Sequence, residues 1–375
     1  MSKRRLSGCW AVTAVVLTLG APAAVQADPL RYAYVALDQV PLPAPYTFFA
    51  PASVVSGRVY GTVFDDTFTI ANVAVLSGGT VTVGPSGTAS VANPRGDIGG
   101  QSLSGQAALF SGDATTLIPA LPGQASASVV SLADNDLALV NSFDSSFIST
   151  FAYFRQGVLS VIDFGLPEAA ANAFLNNNGL IGLTKDESPK DRFLHGYLYD
   201  PRTMTSTLLP PSPDPTDVNV LIQGINAGGE VLGYSFTDFF SSSYHERVGI
   251  WNQKGVFQTY FFETLNTNIL VFNDRDQIVI TETEDGESYL VPTPGTRLDL
   301  ASLTSNVPDG VQLSLVASID NAGNIVGFSI DENFDFFPFL LTPMGNGDPN
   351  PAKAHVLHGL PAAIAHPGNK NGLHK

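Results

Sequence analysis

Cysteine is almost missing from this chain. The single one, Cys9, lies in an N-terminal segment expected to be removed, which leaves no disulfide and no thiolate metal ligand for the rest. Cations are scarce too, with 18 Lys and Arg against 34 Asp and Glu and a net charge of −16. That balance excludes a nucleic-acid partner, since phosphate binding needs basic patches. Charged residues of both signs make up only 14% of the chain. No apolar run after the N-terminus approaches the length of a membrane-spanning helix, so no membrane span is expected. Nor does any motif set a nucleophile beside a base, and no catalytic residue, cofactor or metal is expected.

Glycine (35) and proline (26) are plentiful, which suits many short strands joined by turns better than long helices. The first 27 residues read as a signal peptide. Lys3, Arg4 and Arg5 are followed by an apolar run from Trp10 to Leu19, and Val25-Gln26-Ala27 offers small residues for cleavage after Ala27. Leu6-Ser7-Gly8-Cys9 has the letters of a lipoprotein box but precedes the apolar run. Arg4-Arg5 lacks the apolar residues that a twin-arginine signal places after the pair. The expected destination is the periplasm or the exterior, as a monomer.

"INAGGEVLGYS" (Ile225 to Ser235) sets the architecture. Asn226-Ala227-Gly228-Gly229 reads as a hairpin turn, with Asn at its head and Gly in the left-handed position that ends it. Asn93 to Gly96, Asn176 to Gly179 and Asp320 to Gly323 repeat it, each followed by an aliphatic restart and trailing small residues. Degenerate copies end at Gly57, Asp136 and Asp276, Asp being one of the few other residues that tolerates a left-handed backbone. After each turn comes a second hairpin, as in "NVAVLSGGTVTVG" and "RVGIWNQKGVFQTY". The fourth turn positions (57, 96, 136, 179, 229, 276 and 323) recur at about 40 to 50 residues, the period of propeller blades with four strands each. The last repeat, "FPFLLTP", stops one strand short, while "LRYAYVALDQV" (Leu30 to Val40) near the N-terminus is left unassigned. Pairing the two closes a ring and removes two open sheet edges. The expectation is an all-β, seven-bladed propeller of four-stranded antiparallel blades over 28–343, with a disordered, histidine-bearing tail over 344–375.

"INAGGEVLGYS" before "RVGIWNQKG", and "IDNAGNIVGFS" before "PFLLTPMG", resemble the HAF family of secreted bacterial repeat proteins. The resemblance spans nearly all of the mature chain and is strongest in the second, fourth, fifth and seventh repeats. It departs from the family in having no intact His-Ala-Phe triplet: "LHGYLY" and "RVGIWN" stand there instead. The resemblance implies export and a propeller-like fold. It implies no defined reaction and carries over no catalytic residue.

With the first strand innermost, the Asn-x-x-Gly turns occupy one end of the propeller, and the loops between strands two and three occupy the other with the inter-blade links. Binding residues concentrate on loops held by a rigid scaffold, and the second end offers acidic and aromatic candidates. "FTDFFSSSYHER" supplies Asp238, Tyr244, His245 and Glu246, "ETEDGE" supplies Glu284, and "DENFDFF" supplies Asp331 and Asp335. Aromatics beside carboxylates suit a glycan, a peptide or a protein ligand. The plainer alternative is that the aromatics cover blade edges and the charges are solvated. A secreted polysaccharide hydrolase or lyase using these carboxylates is the competing function. His245 and Glu246 are adjacent, however, and neighbours on a strand point to opposite faces. Asp134/Asp136 and Asp274/Asp276 have cation-ligand spacing, but turn geometry already accounts for them.

Overall fold

The computed structural model describes residues 30–146, 148–162, 170–186, 193–238, 240–263, 269–282 and 286–344. The signal segment, the tail beyond Met344 and Glu284 therefore lie outside the described residues. Seven antiparallel sheets form a ring, a seven-bladed β-propeller. Blade 1 runs from Tyr46–Val55 to Thr80–Ser86, and blade 2 from Thr88–Ala92 to Ala114–Leu117. Blade 3 runs from Ser126–Leu132 to Val158–Val161, and blade 4 from Ala170–Leu175 to Thr205–Leu209. Blade 5 runs from Asn219–Ile225 to Phe257–Glu263, and blade 6 from Ile269–Phe272 to Thr296–Asp299. Blade 7 begins at Gln312–Ile319. The first strand of each blade packs against the first strands of its two neighbours, so these seven line the axis.

Closure follows the sequence expectation. Tyr32–Ala36 pairs antiparallel with Phe336–Pro343, from Tyr32 opposite Pro343 to Ala36 opposite Phe339. Blade 7 also gains a fifth strand that the sequence reading lacks: Thr304–Ser305 runs parallel along Tyr32 and Ala33. It follows a short helix, Leu300–Leu303, whose first turn is capped by the Asp299 carboxylate. Tyr32, Leu37 and their neighbours are buried. At about 1.5–3 kcal/mol for each large apolar side chain, the N-terminal strand contributes heavily to holding the ring shut.

The repeated signature has a physical cause at each position. All seven fourth-position residues (Gly57, Gly96, Asp136, Gly179, Gly229, Asp276 and Gly323) have positive φ, +84° at Gly229. The second glycine answers to crowding. The first strand of blade 5 bulges at Ile222/Gly224, and a Cβ on Gly233 would sit 2.2 Å from the Leu221 carbonyl oxygen. Gly61, Gly100 and Gly327 meet the same obstacle in their own blades. The trailing hydroxyl residue serves the next blade. A bulge leaves a backbone N–H without its ladder partner, and the preceding blade supplies the acceptor. Ala89 N donates to Thr62 Oγ1 at 2.9 Å, Ile222 N to Thr184 Oγ1 at 2.7 Å, and Val316 N to Thr281 Oγ1 at 3.4 Å.

Candidate functional site

At the end carrying the Asn-x-x-Gly turns, the seven first strands open into a funnel of about 890 Å³. Its rim is built from the second residues of the turns, among them Pro94, Asn177, Ala227, Asp274 and Asn321, and its throat from aliphatic strand ends such as Val54, Leu132 and Ile225. The head residues beneath the rim are tied around the ring. Asn226 Oδ1 accepts from Glu230 N at 2.9 Å to cap its own turn, while its Nδ2 donates to Asp276 Oδ1 of blade 6 at 3.0 Å. Asn176 Nδ2 donates to Asn226 O at 2.9 Å, and Asn273 Nδ2 donates to Asp320 O at 2.9 Å. Gly57 N donates to Asp320 Oδ2 at 2.9 Å, which ties blade 1 to blade 7. An amide does both jobs because it carries an acceptor and a donor on one short side chain. Asn226 Nδ2 also reaches Glu230 Oε2 at 2.9 Å. With burial as the main cause and the Glu230 carboxylate as the second, the Asp276 carboxyl is pushed up to about 6.

The opposite end carries the residues expected from sequence. Strand alternation divides the group in blade 5. Tyr244 and Glu246 share one face, and the Tyr244 hydroxyl donates to Glu246 Oε1. Glu246 is buried, its Oε2 has no hydrogen-bond partner, and burial pushes its carboxyl upward against the lowering effect of the Tyr244 bond. His245 and Arg247 take the other face and converge on Asp217, which the sequence reading missed. The Asp217 side chain has no solvent exposure. It accepts from Arg247 Nε at 2.9 Å, from Ser212 Oγ at 2.5 Å and from Ser235 Oγ at 3.1 Å, and it meets His245 Nε2 at 3.1 Å. Arg247 also bonds Asp214. Both serine hydroxyls are directed to the carboxylate, and His245 Nδ1 faces the Ser243 carbonyl at 3.1 Å. The knot therefore ties the link between blades 4 and 5 to the third strand of blade 5.

The remaining candidates are spread around this end. Asp238 heads the blade 5 loop, where it accepts from Phe240 N at 3.1 Å. Asp331 heads the blade 7 loop and accepts from Asn333 N at 2.8 Å and Asp335 N at 3.0 Å. Asp335 is exposed. Glu246 and Asp335 thus stand on different blades with blade 6 between them. Between them the loop tips lift large apolar side chains into solvent: Phe68 on blade 1, Leu103 on blade 2, Ile148 on blade 3, Phe240 on blade 5 and Phe334 on blade 7. The sequence reading took the loop aromatics as companions of the carboxylates. In the structure Phe68, Phe240 and Phe334 all stand largely in solvent.

No known family's sequence profile matches the chain, and no curated protein does. Similarity to solved structures is at the level of fold. Virginiamycin B lyase from Staphylococcus aureus superposes with a TM-score of 0.50 at 9% identity, over 83% of this chain and 99% of that one. The β-propeller domain of the trilobed protease from Pyrococcus furiosus superposes with a TM-score of 0.51 at 10% identity, over 85% of this chain and all of that one. That domain has an open velcro topology, whereas here an N-terminal strand completes the last blade. No helix among the described residues is long and apolar enough to cross a membrane.

Proposed function

We propose that this protein is an exported, non-catalytic repeat propeller that binds a glycan, peptide or protein ligand, chiefly through the end that carries the loops between second and third strands. The exposed apolar side chains at the tips of these loops, on five blades, carry the reading. Apolar groups held in solvent by a rigid scaffold mark an interaction surface. Kinship with the HAF-type secreted repeats is part of the same proposal and accords with export. The Asp217 knot supports binding over catalysis, because it spends its polar groups on one another. The competing polysaccharide hydrolase or lyase draws on Glu246, whose carboxyl burial pushes upward as a general acid requires. Against it, Glu246 is shielded from solvent, where no glycosidic oxygen reaches it. The test is to incubate the purified protein with glycan and peptide panels, reading binding and turnover together. Binding without turnover is expected. Turnover abolished by Glu246→Gln would establish the enzyme instead.

A further inference from the structure

The loop turns of blades 1 and 7 are built on one plan. In Asp65-Asp66-Thr67-Phe68, Phe68 N donates to Asp65 O at 3.2 Å, and Asp65 Oδ1 accepts from Thr69 N at 2.8 Å. In Asp331-Glu332-Asn333-Phe334, Phe334 N donates to Asp331 O at 3.0 Å, and Asp331 Oδ1 accepts from Asp335 N at 3.0 Å. The fourth position is left-handed in both, with φ +57° at Phe68 and +64° at Phe334. Large side chains rarely take this conformation, and it persists only where the surroundings or a function impose it. Glycine serves the corresponding turn of blade 2, where Gly105 N donates to Ser102 O at 3.0 Å with φ +80°. Phe68 and Phe334 are nonetheless 63% and 79% exposed. Met204 is another large apolar residue at positive φ, but its turn lies at the opposite end, so the two aromatic cases alone share one end and adjoining blades.

What surrounds them is also specific. Phe48 and Phe64 back Phe68, with ring centroids at 6.0 and 5.5 Å, and Phe336, two residues on from Phe334, is half exposed and packs edge-on against Phe328. Asp66, Glu332 and Asp335 are exposed at the same turns. The sequence of blades 7 and 1, closing strand included, offers two cations, Arg31 and Arg58, and both stand at the far end from these loops: Arg31 precedes Tyr32, which pairs with Pro343, and Arg58 opens the second strand of blade 1. An apolar surface ringed by unneutralised carboxylates repels anionic lipid and complements a cationic partner.

Resting on the binding reading above, we propose that the loop end of blades 7 and 1 docks a cationic protein segment bearing aromatic or aliphatic side chains, with Phe68 and Phe334 as its apolar anchors. The strained turns keep the two rings in solvent instead of letting them fold back onto the blades, and the acidic rim selects the charge of what approaches.

The experiment joins affinity to stability. Two sets of peptides of about twelve residues share their Phe, Trp and Leu content and differ only in carrying Lys and Arg or Asp and Glu. Both are titrated against the full chain and its Phe68→Gly/Phe334→Gly variant by fluorescence anisotropy. The basic set is expected to bind, with affinity falling as salt rises, and the variant to bind at least tenfold more weakly. The variant is also expected to unfold at a higher temperature, because glycine relieves both left-handed positions. Equal binding of acidic peptides, undiminished binding by the variant, or a lowered unfolding midpoint overturns the proposal. Partition onto phosphatidylcholine vesicles, or self-association, that the substitutions abolish overturns it too, by giving the face to lipid or to a second copy. Binding of oligosaccharides with no peptide binding defeats this proposal and leaves the binding-module reading standing. Glycan turnover without peptide binding defeats both.

Discussion

The Asn226–Gly229 turn at one end of blade 5 and the Asp331–Phe334 turn at the other end of blade 7 have the same hydrogen bonds. In the first, Gly229 N donates to Asn226 O at 3.0 Å and Asn226 N to Glu230 O at 2.9 Å. In the second, Phe334 N donates to Asp331 O at 3.0 Å and Asp331 N to Asp335 O at 3.2 Å. Their surroundings differ. The Asn226 amide reaches into blade 6, and the left-handed position is glycine, so that turn serves cohesion between blades. The Asp331 carboxylate caps its own loop, and the left-handed position carries a ring in solvent. One local structure thus serves stability where its head side chain bonds a neighbour, and presentation where its fourth residue is large and outward.

The loop end is not loose throughout, and the largest expected effect falls there. Asp217→Ala removes the buried carboxylate that Arg247, His245, Ser212 and Ser235 share, leaves Arg247 only the more exposed Asp214 carboxylate of the two, and should lower the unfolding free energy by about 3 kcal/mol, read from the urea midpoint. At the turn end, Asn226→Ala removes a cap and a bond between blades and should cost about 1–3 kcal/mol. Asn226→Asp should cost a similar amount above neutral pH, because it keeps the cap but sets a third carboxylate beside Glu230 and Asp276. A smaller effect is set by pH. The Asp276 carboxyl is raised to about 6 in the folded protein from an ordinary 3.8, so the folded state binds its proton more tightly than the unfolded state does. Stability from this group is therefore gained as pH falls from above 6 toward 4, and lost as pH rises through 6. After allowance for solvent screening it amounts to about 1 kcal/mol, and Asp276→Asn should remove that slope in denaturation curves at pH 4.5 and 7.5 (about one and a half units either side of the folded value). Smallest of all, Asp335→Asn should change stability by less than about 0.5 kcal/mol, while weakening binding of basic peptides and flattening its salt dependence.

Much of this architecture is legible in the sequence because it rests on backbone rules that few residues satisfy. The left-handed positions at 57, 96, 136, 179, 229, 276 and 323 were each marked by Gly or Asp, and the strand missing from the last repeat pointed to the one left over near the N-terminus. Less was legible where a residue answers to something distant in sequence. Gly233 is small because a bulge pushes the Leu221 carbonyl toward it, and Thr184 is a hydroxyl for the sake of Ile222 in the next blade. Asp217 was not legible because its partners His245 and Arg247 lie 28 and 30 residues downstream, beyond two intervening strands. The funnel rim escaped notice because the second turn position, free of backbone demands, varies from Pro94 to Asn177 to Asp274. The Phe68 and Phe334 turns did carry a signal: an Asp three residues before the aromatic, the spacing of the Asn-x-x-Gly turns. It was obscured because a large aromatic is rare at a left-handed position.

A reciprocal exchange tests most directly the division of labour between the two ends. Gly229→Phe and Phe334→Gly are compared with the parent by equilibrium urea denaturation, with a thermal scan in parallel. The account predicts opposite signs: Gly229→Phe lowers stability by about 1–3 kcal/mol and Phe334→Gly raises it by about 1 kcal/mol. If Phe334→Gly instead lowers stability, the ring belongs to the fold's own packing and the distinction between the two ends fails.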